Sequence, residues 1–105
     1  MLRLLTLLLP FALLLCACSD PHRNFCQQAS SKLCDRCASC GDYKSCGLLR
    51  ANDRETCVTS LQNVCAAYDS VYSAEVARSC LEQLDALTCD VLKTSGKPDA
   101  CTKLF

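Results

Sequence analysis

Tryptophan is absent from this chain of 105 residues, and three phenylalanines and three tyrosines are its whole supply of the other large rings. So few rings cannot fill a wide core, and packing volume must come from elsewhere. Histidine occurs once, as His22, and no serine sits in a Gly-x-Ser-x-Gly turn, so hydrolytic chemistry lacks its usual parts. No basic run is longer than two residues, which removes the electrostatic footprint of a nucleic-acid binder. The same absence leaves no polybasic patch to assist membrane contact. Period-two alternation is missing too, so no stretch reads as a strand. The chain reads all-α.

Cysteine is what the sequence has in excess, with 12 copies. Their meaning depends on the compartment, and the compartment is written in the first eighteen residues. Arg3 supplies a positive start, and residues 4–15 are apolar apart from Thr6 and Pro10. That run is about 12 residues, where a spanning helix needs about 20. Small Ala17 precedes Cys18, as a small-residue cleavage site requires. Leu15-Cys16-Ala17-Cys18 resembles the Leu-x-small-Cys lipobox of bacterial lipoproteins, with an unusual Cys16 in the middle. Cutting before Cys16 instead would place Leu15, a poor small residue, at the cut site. The resemblance implies removal of residues 1–17 and a diacylglycerol thioether with an acylated amino group on Cys18. Such multiple acylation anchors firmly where a single chain holds marginally. The same resemblance implies, from the neutral Ser19 after the cysteine, sorting to the outer membrane and not retention at the inner one. Ordinary secretion, with Cys18 as one more disulfide cysteine, is the competing reading.

Removing residues 1–17 leaves 88, enough for one small domain. Residues 18–20 form a lipidated start and short tether, and 21–105 the cysteine-rich domain. This part carries 10 basic and 11 acidic residues, a net charge of −1 that favours no polyanion. Ten cysteines remain for bonding: Cys26, Cys34, Cys37, Cys40, Cys46, Cys57, Cys65, Cys80, Cys89 and Cys101. An even number at this density in an exported chain reads as a disulfide scaffold.

The elements follow from caps and periodicity. Asp20 caps a helix that Pro21 opens, with Phe25, Ala29 and Leu33 on its apolar face and its end near Cys40-Gly41. A loop over residues 41–52 leads to a second helix capped by Asn52 or Asp53, along which Cys57, Leu61, Val64, Cys65 and Tyr68 recur at helical spacing. Residues 69–73 break the pattern. A third helix is expected over residues 74–87. Its apolar stripe is Val76, Ala77, Cys80, Leu81, Leu84 and Leu87, opposite Glu75, Arg78, Glu82 and Asp85. Thr88 caps a short helix through Lys93, residues 94–98 turn, and residues 99–105 close with a helical turn around Cys101. The expectation is a small disulfide-stapled bundle of about three helices plus short C-terminal turns.

Cys26 and Cys34 stand eight apart, and so do Cys57 and Cys65. Eight helical steps climb about 12 Å, too far for either pair to bond internally. They rotate the side chain by only about 80°, so both cysteines of a helix face broadly one way. Two antiparallel helices would therefore pair Cys26 with Cys65 and Cys34 with Cys57. This layout resembles the twin-cysteine hairpins of small coiled-coil-helix proteins, whose usual spacing is nine. Cys80, Cys89 and Cys101 would then bond Cys37, Cys40 and Cys46.

Across the chain, Phe25-Cys26, Cys37-x-x-Cys40-Gly41, the stretch from Cys80 to Asp90, Pro98 and Cys101 add to the Leu15–Cys18 segment. Together they resemble the small cysteine-rich predicted lipoproteins of myxobacteria and related bacteria. The resemblance implies an all-helical, disulfide-rich envelope protein and assigns no activity.

Two other chemistries fit these residues less well. Cys34-x-x-Cys37-x-x-Cys40 followed by Cys46 approaches a cluster or zinc-binding run, yet its last gap is longer than the ferredoxin spacing and Gly47 replaces the proline. An exported chain also meets an oxidising space before a metal could template it. The Cys-x-x-Cys pairs 34/37 and 37/40 lack the strand before them that a thioredoxin-like site needs. No metal, cofactor or catalytic residue is expected, and His22 is expected to be exposed near the lipid anchor. Expected partners are the membrane, through the N-terminal lipid, and an envelope protein that could meet Tyr43, Leu48, Leu49, Tyr68 or Tyr72. Alternative functions are a secreted effector or inhibitor and, behind it, a metal or thiol redox module.

Overall fold

The computed structural model describes residues 20–47 and 51–105. The signal-peptide and Cys18 readings fall on residues 1–19, outside the described residues, as do Leu48 and Leu49.

Helix α1 (Pro21–Ser39) starts where Asp20 accepts the His22 and Arg23 N–H groups at 3.0 and 3.3 Å. Pro21, which has no N–H to satisfy, occupies the first helical position. One face of α1 is buried, comprising His22, Phe25, Cys26, Ala29, Ser30, Leu33, Cys34 and Cys37. That three-and-four spacing is a continuous helical stripe. Past Cys40, Gly41 takes a φ of 140° that L side chains rarely adopt, and the chain leaves the helix. A short 3₁₀ turn, Tyr43–Cys46, follows within the expected loop.

Helix α2 (Arg54–Ala66) is capped by Asp53, which accepts the Thr56 N–H at 2.7 Å. It buries only Cys57, Leu61 and Cys65. Val64 and Tyr68, expected on its apolar stripe, are instead exposed at 44 % and 39 %. The stripe is narrower than its periodicity predicts because cystines, not side-chain area, join α2 to α1.

Cys26 bonds Cys65 and Cys34 bonds Cys57, with Cα–Cα distances of 5.6 and 6.0 Å. Every step forward along α1 is thus matched by a step back along α2, which makes an antiparallel hairpin with two rungs. Further bonds keep the same register at both ends. His22 Nδ1 lies 3.0 Å from Asp69 Oδ1, and Arg54 Nε donates to Asp35 Oδ1 at 2.8 Å.

A second 3₁₀ turn (Asp69–Val71) leads to α3 (Ala74–Asp85), α4 (Cys89–Ser95) and α5 (Asp99–Thr102). Helix α3 ends at Asp85, two residues short of the expected boundary, and Leu87 packs into the core from the following turn. Helix α4 runs to Ser95, two residues beyond its expected end, and stops at Gly96 with a φ of 72°. Thr88 caps it by accepting the Val91 N–H at 3.3 Å. The core of this half consists of Ala77, Leu84, Leu87, Leu92, Leu104 and Phe105. Phe105 meets Phe25 edge to face, with ring centroids 6.4 Å apart, and so ties the end of the sequence back to α1. The described residues form a compact all-α domain with no strand among them and five disulfides.

Two of the remaining three bonds correct the expected map. Cys40 does bond Cys89, fastening the end of α1 to the start of α4. Cys37, however, bonds Cys46, and Cys80 bonds Cys101. The reason is local geometry. The 3₁₀ turn folds Cys46 back onto α1, where its Cα stands 6.0 Å from that of Cys37. Helix α5 lies against α3, where Gln83 Oε1 accepts the Ala100 N–H at 3.3 Å, and the Cα atoms of Cys80 and Cys101 are 4.8 Å apart.

Candidate functional site

Cys34, Cys37 and Cys40, the densest cysteine run in the sequence, do not converge on a common point. Three helical steps rotate a side chain by about 300°, so successive members are displaced by about 60° around the axis. They accordingly reach three partners on three elements: α2, the 3₁₀ turn and α4. Cys34 and Cys37 are fully buried. The run is a hub that holds the end of α1, and all its sulfurs are oxidised.

The residues that do converge lie at the other end of α1. His22, at the second helical position, is one turn before Cys26, and its Nε2 is 3.4 Å from the Cys26 Sγ. Asp69 reaches its Nδ1 from the turn after α2. Tyr72 covers the ring, with centroids 5.0 Å apart. His22 is therefore 7 % exposed, not solvent-facing as expected. The sequence places Asp69 and Tyr72 in an irregular break, so nothing local indicates that they close over the first turn of α1. Only the hairpin register brings them there.

Beside this cluster is a groove of about 640 Å³, lined by Asp20, Arg23, Gln27, Gln62, Asn63 and Asp69 among others. Its lining is mainly polar and carries both signs of charge. His22 and Asp69 have the relation of the second and third members of a hydrolytic triad. The position next to Nε2, where a nucleophilic hydroxyl would stand, holds a cystine sulfur that has no proton to give. His22, Cys26 and Cys65 also group their potential donor atoms within 4.8 Å of one another. Metal ligation uses thiolates, and both sulfurs are bonded to each other here. In its oxidised form the cluster is a packed joint that fixes the open end of the hairpin.

Of the residues considered for partner contact, Tyr43 and Tyr72 are half-buried against the core and Tyr68 is exposed. Two further ion pairs lie on the surface. Lys32 Nζ stands 2.6 Å from Asp85, linking α1 to α3, and Asp35 raises the Arg54 pKa above its ordinary value by hydrogen bonding and charge. Lys97 donates to the Phe105 carbonyl, lies over its ring, and has its pKa lowered by burial. Among the described residues no helix is long and apolar enough to cross a membrane. No protein-family model matches the chain, and no similar protein is found among curated proteins or solved structures.

Five disulfides in 86 residues from Asp20 onward mark a domain that folds in an oxidising, extracytoplasmic compartment.

Proposed function

We propose that this chain is a non-catalytic envelope lipoprotein: a rigid, disulfide-stapled helical module held at the outer membrane by acyl chains on Cys18. The observation that carries the reading is the Leu15–Cys18 segment, directly before a domain whose helix begins at Pro21. A spacer this short suits a module held close to the membrane surface. A role in structure or protein interaction fits a domain whose converging polar groups surround a cystine instead of a reactive atom. The resemblance to small cysteine-rich bacterial lipoproteins belongs to the same proposal.

The test is fatty-acid labelling and fractionation of cells making the full chain or its Cys18→Ala variant. The wild type is expected in the outer-membrane fraction with label, and the variant without it. Unlabelled wild-type protein in the medium would overturn the reading in favour of a secreted effector.

A further inference from the structure

Four large hydrophobic side chains are exposed among the described residues: Val64, Tyr68, Val71 and Val91. Three of them occupy one end of the domain. Val64 and Tyr68 are four residues apart, so they share one side of α2 and its continuation. The Tyr68 N–H bonds the Cys65 carbonyl at 3.0 Å, and the Val71 N–H bonds the Tyr68 carbonyl at 3.1 Å. All three therefore belong to two consecutive turns.

The hairpin register fixes where those turns stand. Asp69 bonds His22, and the Tyr72 ring lies against both His22 and Phe25, with centroids 5.0 and 6.1 Å away. Tyr68 and Val71 are thus level with the first turn of α1, and Val64, next to Cys65, with the second. Asp20 is already committed as the cap of that helix. From Cys18 to Pro21 the chain spans at most about 11 Å. The headgroup layer is itself about 5–8 Å deep on each side of the hydrocarbon.

We infer that Val64, Tyr68 and Val71 form a membrane-resting foot, which inserts into the bilayer interface and sets the orientation of the domain. This rests on the lipid anchor at Cys18 proposed above. The acyl chains supply the affinity, and the foot supplies the tilt. A tyrosine flanked by two valines suits the interface, where an aromatic body is buried and its hydroxyl stays wet. The carboxylate of Asp69, within the same turns, pairs with His22 on one side and is 80 % exposed, so it belongs to the wet edge of the foot. Val91 is the internal contrast. It follows Cys89, which is bonded to Cys40 at the opposite end of α1, roughly 28 Å along the helix from Pro21.

The absence of tryptophan makes the test clean. Lipidated full-length chains carrying Tyr68→Trp or Val91→Trp are reconstituted in vesicles of phosphatidylethanolamine and phosphatidylglycerol containing brominated acyl chains. Flotation reports the anchor, and quenching of the introduced indole reports the foot. The expected result is that both chains float and that the indole of the Tyr68→Trp chain is quenched at least about threefold more than that of the Val91→Trp chain. Adding Val64→Asp and Val71→Asp to the Tyr68→Trp chain is expected to remove that excess without releasing the protein. Flotation with equal quenching would overturn the foot and leave the anchor standing. Failure to float would overturn both.

Discussion

The N-terminal hairpin and the C-terminal half solve the same problem with different materials. Along α2 the only buried non-cysteine side chain is Leu61, so burial of apolar area cannot set its position. Two cystines closing sequence separations of 39 and 23 residues set it instead. In the C-terminal half, Leu84, Leu87, Leu92, Leu104 and Phe105 gather into an apolar core, beside Cys80–Cys101, which closes 21 residues, and Cys40–Cys89, which ties this half to α1 across 49. One half depends mainly on covalent register, and the other adds an apolar core to its cystines. Small exported domains with little aromatic volume can combine both, because each cystine restricts the unfolded chain regardless of what surrounds it.

Large losses should come from the cystines that close long loops, Cys40–Cys89 across 49 residues and Cys26–Cys65 across 39. Replacing Cys26 and Cys65 together by serine is expected to lower stability by about 4 kcal/mol, against about 3 kcal/mol for Cys37 and Cys46, whose loop is far shorter. Denaturant unfolding measures both, and equal losses would contradict a hairpin held by covalent register. Leu84→Ala is expected to cost about 3 kcal/mol through lost transfer energy and a residual cavity. A loss below about 1 kcal/mol would show that the C-terminal half is also held mainly by its cystines.

Lesser changes refine the contrast between the halves. Ser30 is fully buried in the hairpin, and its hydroxyl has no hydrogen-bond partner among the described residues. Ser30→Ala should therefore stabilise the fold by about 1 kcal/mol, read as a raised unfolding midpoint. Thr88→Ala should lose about 1 kcal/mol by uncapping α4. The mildest change concerns acid. The backbone N–H and hydroxyl of Thr56 hold Asp53 below its ordinary pKa of 3.8. A lowered folded pKa means that the cap's contribution is complete above that ordinary value and is lost as pH falls through the lowered one. Asp53→Asn should accordingly flatten the stability profile in that acidic range, and an unchanged profile would deny Asp53 any part in the acid response.

Much of the helix pattern was legible because caps and helical spacing are local signals. Asp20, Asp53 and Thr88 each cap the helix assigned to them. The two hairpin cystines followed from twin spacing, which antiparallel packing turns into a register. What stayed hidden depends on contacts between elements. The Cys37–Cys46 and Cys80–Cys101 bonds require knowing that a 3₁₀ turn folds back and that α5 lies on α3. The burial of His22 requires Asp69 and Tyr72 to cross over from the far end of α2. Val64 and Tyr68 misled in the opposite direction, because helical spacing marks a face without saying whether anything covers it.

The most direct test of an anchored, five-cystine module is the intact mass of membrane-extracted protein after alkylation without reduction. The expected species begins at Cys18, carries acyl chains and has no alkylated thiol. A mass without acyl groups would contradict the anchor, and alkylation of any of the ten remaining cysteines would contradict the five-cystine scaffold.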